Sequence, residues 1–280
     1  MLLLVDLDGV VYRASEAVPG VPAVLAARAA LGDDVVYVTN NAMAYRADYV
    51  PRLAGHGAPV TLERVVTSAS ASAVWIRESL PAVRRVLVVG AGGLERELRE
   101  AGFDVVTSAW AAERMHKEGL DGWAAAGHPD AVVVGLDPQL TYLRIAVAAD
   151  CVRAGAAFVA TNRDPVYPTE RGLRPGAGSV VAAIETASRT SPVAVVGKPQ
   201  PLLLQVAARS VGADPATAVM IGDALTDVAA GRAVGARTIL MLTGVTSRAM
   251  ADALPAGERP TRIAADADEL AAALRDLGPA

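Results

Sequence analysis

The chain has one cysteine, Cys151, in 280 residues. No disulfide can form within it, and a reducing, cytoplasmic setting is the expectation. Aromatic side chains make up only 4%, so the interior must be built from Ala, Val and Leu. Excess charge is scarce too: the formal net charge is −4, and no Lys/Arg run or basic stripe occurs. That argues against nucleic acid or an anionic membrane as the main partner. No apolar run approaches the roughly 20 residues that span a bilayer. With a strand-like stretch beginning at Leu2, a charged targeting leader is not expected. Lysine is nearly absent. Of 26 basic side chains, all but Lys117 and Lys198 are arginine.

What is present is apolar, 52% of the chain, enough for one large domain or two modest ones. It also holds a paradox at its start. In LLLVDLDGVVY, Leu2 to Tyr12, a fully apolar strand runs into Asp6 and Asp8. Two carboxylates that close repel, and burial adds to the cost of each.

Short β-branched runs alternate with Ala-rich helical stretches, the pattern of βαβ units and a mainly parallel sheet. Strands are expected at LLLVD, DVVYVTN, RVVTS, RVLVV, FDVV, DAVVVG, AAFVATN, VAVVGK, AVMIGD and RTILML. Helices are expected near Val21–Leu31, Tyr45–Ala54, Ala69–Leu80 and in several later stretches. The proline- and glycine-rich stretch 163–178 is expected to be irregular. With crossings near Pro81 and in that stretch, residues 1–80 plus 177–280 form a Rossmann-like doubly wound core. An inserted α/β domain occupies 82–175.

In a parallel α/β sheet, function collects beyond the carboxyl ends of the strands. Four expected core strand ends carry Asp6 with Asp8, Thr39 with Asn40 and Asn41, Gly197 with Lys198, and Asp223 with Asp227. Asp6, Asp8 and Asp223 are a hard oxygen set suited to Mg²⁺, and a divalent cation offsets their repulsion. A carboxylate can attack phosphorus. A second one two residues on can protonate the leaving alcohol and later activate water. Thr39, nearby backbone N–H groups and Lys198 are placed to hold phosphoryl oxygens. In a chain that otherwise uses Arg, the Lys suits a compact point charge at a crowded phosphate.

At these residues the chain resembles the haloacid dehalogenase (HAD) superfamily of phosphohydrolases. DLDGV matches its first motif, VTNN its second, GKP its third and GDALTD its fourth. The long insertion resembles a class II cap. ATNRDPVYPTERGLRPGAGSVVAAIE and VVGKPQP resemble the NagD-like branch of p-nitrophenyl, phosphoglycolate or glycerol-3-phosphate phosphatases and nucleotidases. The match runs in order to about Leu242. The resemblance implies Asp6 as nucleophile and Asp8 as general acid/base, with the Asp8 backbone carbonyl, Asp6 and Asp223 on Mg²⁺. It implies Thr39, Asn40 and Lys198 on phosphate, and Gly9, Asn41 and Asp227 in support. An acid at position 8 speaks against the dehalogenase members. Asp223 and Asp227 stand four apart, where the branch often spaces them five, which leaves the facing atom of Asp227 undetermined.

The implied activity is Mg²⁺-dependent hydrolysis of small phosphomonoesters through an aspartyl-phosphate, on a small phosphorylated metabolite such as phosphoglycolate or glycerol 3-phosphate. Nucleoside monophosphates and sugar phosphates are alternative substrates, and phosphotransfer an alternative reaction. A non-catalytic phospho-ligand-binding module would lack the nucleophile or a metal carboxylate; here neither is missing. Asn162 and Asp164, ending a strand of the insert, are candidates for its rim towards the core, and such caps often pair into homodimers. VVGAGGLE, Val88 to Glu95, lacks the third glycine of a dinucleotide fingerprint and reads as a plain strand–turn–helix.

Overall fold

A computed structural model describes residues 1–125, 128–169 and 172–278. It divides the chain into two compact units. The first gathers Met1–Thr39, Arg46–Thr67 and Lys198–Ala280; the second gathers Asn40–Tyr45 and Ser68–Gly197.

The chain opens with β1 (Leu2–Val5), the short hairpin β2 (Tyr12–Arg13) and β3 (Glu16–Ala17), α1 (Val21–Ala30) and β4 (Asp34–Thr39). After six residues in the second unit it returns as α2 (Arg46–Gly55) and β5 (Val65–Thr67). The second unit then runs α3 (Ser68–Ser79), β6 (Arg85–Val89), α4 (Gly92–Glu100), β7 (Asp104–Thr107), α5 (Ser108–Ala125) and β8 (Ala131–Val134). It continues through α6 (Tyr142–Arg153), β9 (Ala157–Ala160), β10 (Val166–Thr169), β11 (Gly172–Pro175), α7 (Ala177–Ser188) and β12 (Ala194–Val195). The first unit is completed by α8 (Leu202–Arg209), β13 (Val219–Gly222), α9 (Leu225–Ala233) and β14 (Arg237–Met241). Last come α10 (Arg248–Asp252), β15 (Arg262–Ala264) and α11 (Ala267–Leu277).

In the first unit six strands run parallel in the order β15-β14-β13-β1-β4-β5. All four residues of β1 are buried between β13 and β4. A strand covered on both faces is apolar throughout, which explains LLLV. The order reverses beside β1: β4 and β5 lie on one side, β13 to β15 on the other. That reversal opens a crevice at the carboxyl ends of β1 and β13, where Asp6 and Asp223 follow directly. Helix termini are locally encoded; Asp266 caps α11 by accepting from Glu269 N at 2.9 Å.

The second unit has its own parallel sheet, β12-β9-β8-β6-β7. Its core packs Leu87, Val89, Val132, Val134 and Phe158 against Val147, Cys151, Val181 and Ile184. The fold is thus α/β, a Rossmann-like core sheet with an inserted α/β domain.

Three expectations differ from what is seen. The stretch 163–178 is not irregular: β10 and β11 pair antiparallel, Val166 opposite Pro175 and Pro168 opposite Leu173. A two-stranded ribbon has only edges, and proline is tolerated there. The strand before Lys198 is not a core strand, because β12 pairs with β9 in the second sheet. The second compact unit takes Asn40–Tyr45 together with Ser68–Gly197, wider than the insert expected over 82–175. Its α7 packs on α6, α3 on α4, and β12 joins its sheet. Among the described residues no helix is long and apolar enough to cross a membrane.

Candidate active site

Asp6 follows β1 and is tied to the neighbouring strand by its N–H, which donates to Ile221 O at 2.8 Å. The chain then turns sharply. Leu7 O accepts from the N–H groups of Val10, Val11 and Tyr12, and Gly9 N donates to Tyr12 O at 2.8 Å. Gly9 sits at φ 81°, and a Cβ there would lie 2.4 Å from Asp223 Oδ2. Glycine at this position therefore lets the turn after β1 close on the carboxylate after β13.

Asp223 is held from the other side by the turn after β14. Its Oδ2 accepts from Val245 N at 2.7 Å, and Thr246 N donates to its carbonyl at 3.2 Å. Thr243 Oγ1 donates to Gly9 O at 2.6 Å. A Cβ on Gly244 would fall 1.8 Å from Asp223 Oδ2. Thr243, Gly244 and Val245 were not among the sequence candidates. The available signal was positional: they follow a further strand of the same sheet.

Lys198, only 4% exposed, bridges two carboxylates, with Nζ 2.5 Å from Asp6 Oδ1 and 2.6 Å from Asp227 Oδ1. Asp227 stands in the first turn of α9, where its Oδ2 accepts from Ala224 N at 2.9 Å, a placement the helix dipole favours. The spacing of four thus puts one Asp227 oxygen on the helix end and the other on Lys198.

One carboxylate oxygen from each of Asp6, Asp223 and Asp227 lies within 4.8 Å of the others, and all three residues are buried. Burial pushes Asp6 well above the ordinary carboxylate value; Lys198 opposes this, while Asp227 and Asp223 add to it. Asp223 is pushed up to about 6 by burial and by the Asp227 charge. For Lys198, burial alone lowers the value, but Asp227 and Asp6 outweigh it and hold the ammonium charged. Three carboxylates share one ammonium, an excess of negative charge that a divalent cation with oxygen preference fits.

Asp8 opens to solvent at the rim. Its low-dielectric surroundings raise it from the ordinary value, opposed by Arg52 and Lys198. Arg52 itself lies over the Tyr12 ring at 3.5 Å. Thr39 is buried at the end of β4, in the same unit as Asp6, Lys198 and Asp223.

The remaining candidates belong to the second unit. Asn40 Nδ2 donates to Asp164 Oδ2 at 3.0 Å, and Asn162 Nδ2 donates to Asn40 O at 2.8 Å. Asn41 Oδ1 accepts from Met43 N at 2.8 Å. Asn40, Asn162 and Asp164 thus form one cluster, and Asn41 closes a local turn.

Comparison with known proteins places this arrangement. Residues 3–104 match the haloacid dehalogenase-like hydrolase model and residues 195–270 a second HAD-hydrolase-like model. An acid sugar phosphatase of Staphylococcus aureus is 34% identical over 245 residues, 87% of each chain. Among solved structures, a p-nitrophenyl phosphatase from Archaeoglobus fulgidus superposes with a TM-score of 0.84 at 28% identity, covering 98% of both chains. A glycerol phosphate phosphatase from Mycobacterium tuberculosis, solved in complex with magnesium, gives 0.80 at 36% identity, covering 96% of this chain and 75% of its own. The chain belongs to the haloacid dehalogenase-like hydrolases. It is a phosphatase of that family.

Proposed function

We propose that this phosphatase hydrolyses small phosphomonoesters with Mg²⁺, through a phosphoryl group carried on Asp6. The observation that carries the reading is the buried Lys198 ammonium, 2.5 Å from Asp6 and 2.6 Å from Asp227, beside Asp223.

Asp6 and Asp223, with the Asp8 backbone carbonyl, would hold the cation. Bound there, it would neutralise phosphoryl charge and the excess of carboxylates. Asp227 serves Lys198 instead, since its two oxygens already go to that ammonium and to Ala224 N.

An Asp6 carboxylate oxygen attacks phosphorus, and the bond to the departing alkoxide breaks. Asp8, standing at the rim, gives that oxygen its proton. Its raised value favours the protonated form needed for that step. Deprotonated, Asp8 then takes a proton from water, whose oxygen attacks the aspartyl-phosphate and frees inorganic phosphate. Asp6 returns to its carboxylate. Throughout, Lys198 and the Thr39 hydroxyl hold non-bridging oxygens on which charge accumulates. Asp227 keeps Lys198 ionised and aimed.

The substrate class is supported by the relatives, whose names cover sugar, glycerol and p-nitrophenyl phosphates, all small monoesters. The test is release of phosphate from p-nitrophenyl phosphate with Mg²⁺ and with EDTA, for wild type and Asp6→Asn. Metal-dependent release that disappears in Asp6→Asn is expected, a loss of at least about 10³-fold. Near-normal turnover in that variant would overturn the mechanism.

A further inference from the structure

Asn40 to Tyr45 form a six-residue strap that leaves the first unit after Thr39 and rejoins it at Arg46. Within the second unit the strap is anchored along its length. Asn40 O accepts from both Asn162 Nδ2, at 2.8 Å, and Ser68 Oγ, at 2.6 Å. Asn40 Nδ2 donates to Asp164 Oδ2 at 3.0 Å, and Asp164 N in turn donates to Asn162 Oδ1 at 3.0 Å, fixing the amide. Met43 O accepts from Gly93 N at 3.0 Å, and Tyr45 Oη donates to Glu100 Oε2 at 2.5 Å. A Cβ on Gly93 would lie 2.4 Å from the Ala44 carbonyl carbon. Gly93 of VVGAGGLE therefore serves a close approach of backbone to backbone.

The second crossing meets the same turn. Gly197 N donates to Thr161 O at 2.7 Å, and a Cβ on Gly197 would lie 2.6 Å from Asn40 Oδ1. The residue bonded to Asn40 is Thr39, and the residue bonded to Gly197 is Lys198. Both phosphate-holding side chains are thus one peptide bond from a backbone fastened to residues 161–164.

We propose that Asn162 and Asp164 are positioning residues for phosphate binding, fixing Thr39 through Asn40 and, with Thr161, Lys198 through Gly197. The proposal rests on the phosphatase reading and goes beyond the expectation that these two residues belong to the rim of the insert. Its physical basis is the steep dependence of catalysis on placement, where an error of about 1 Å costs about 10²-fold. The Asn40–Asp164 bond has an ionised acceptor, the stronger kind of hydrogen bond.

The experiment compares wild type, Asp164→Ala, Asp164→Asn, Asn40→Ala and the double variant Asn40→Ala/Asp164→Ala. It reads kcat and KM for p-nitrophenyl phosphate, the inhibition constant of inorganic phosphate, and thermal unfolding. Asp164→Ala is expected to lower kcat about tenfold and to weaken phosphate inhibition by a similar factor. Asp164→Asn keeps an acceptor for Asn40 and should stay within about threefold of wild type. The double variant should be no worse than its worse parent, because one bond is removed from either end.

An unchanged phosphate constant in Asp164→Ala together with an altered KM overturns the proposal, since inorganic phosphate has no leaving group for a substrate-contacting residue to sense. Additive losses in the double variant overturn it as well. Should Asp164→Ala fail to fold, Asn40→Ala and Asp164→Asn carry the same test. If wild type releases no phosphate at all, the reading of the reaction falls. Phosphate affinity by calorimetry across the variants then decides the positioning role alone.

Discussion

In each of the two parallel sheets, the first strand has its successor on one side and a later strand on the other: β1 lies between β4 and β13, β6 between β7 and β8. Both windings open a crevice at that reversal. Beyond β6 and β8 it is a cavity of about 420 Å³ lined by Gly90, Ala91, Gly92, Asp137, Gln139 and Arg144. Its buried acid is matched. Asp137 accepts from Arg144 Nη1 at 3.0 and 2.9 Å and from Gln139 N at 2.9 Å. Beyond β1 and β13, three buried carboxylates gather and one ammonium, Lys198, pairs with two of them. Topology supplies the crevice in both cases. What distinguishes the crevice beyond β1, and supports its proposed role in the reaction, is charge that the protein leaves uncompensated.

Removing the cation from each crevice tests that distinction most severely. Lys198→Met strips the ammonium from Asp6 and Asp227, so turnover should fall about 10³-fold or more. Stability of the metal-free protein should drop by about 3–5 kcal/mol, the usual cost of breaking a buried pair. Arg144→Met leaves Asp137 with its backbone donor alone and should cost about 2–3 kcal/mol, with kcat within about twofold of wild type. Urea unfolding and p-nitrophenyl phosphate turnover measure both. Equal losses of activity in the two variants would erase the contrast.

The second expectation concerns pH and metal. Asp223 has a folded value of about 6 against 3.8 for an ordinary Asp, and Asp6 is also raised. The native state therefore binds more protons than the unfolded chain between these values, and stability falls as pH rises through them. Lys198, raised from 10.5, contributes stability that is constant over this window. The metal-free protein should thus lose melting temperature from about pH 4 to about pH 6, and the gain from saturating Mg²⁺ should grow over the same interval. A Mg²⁺ gain that is flat across it would show that the cation does not engage these carboxylates.

Much of this was legible because local pattern and chemistry coincide. An apolar run ending in DLDG is a buried strand meeting a polar rim, and Asp6, Asp223 and Lys198 do come together. What stayed hidden depended on pairing at a distance. Nothing in VAVVGK says that β12 joins β9, or that Lys198 re-enters the first unit one residue after Gly197. The exit after Thr39 and the crossing between Thr67 and Ser68 carry no proline or glycine, so composition offered no boundary. The β10–β11 ribbon was masked by prolines that forbid a central strand but not an edge. Asp227 was ambiguous by spacing and became clear only from its two bonds.

The smallest predicted effect separates the glycines of the two crevices. Gly9 and Gly92 each follow the first strand of a sheet, and each reads in sequence as a turn glycine. Only Gly9 has a positive φ and a carboxylate, Asp223, where a Cβ would go. Gly9→Ala must shift Asp223 or the turn, so kcat should fall about 10²-fold with a stability loss of about 1–3 kcal/mol. Gly92 starts α4 with nothing within 4 Å of a built Cβ. Gly92→Ala should leave kcat unchanged and move stability by no more than about 1 kcal/mol, towards stabilisation because alanine loses less entropy in a helix. Denaturation midpoints alongside kcat for the two variants give the answer. A comparable loss of kcat in both would mean that the crevice beyond β6 also serves the reaction, and that balanced charge is no guide to which one does.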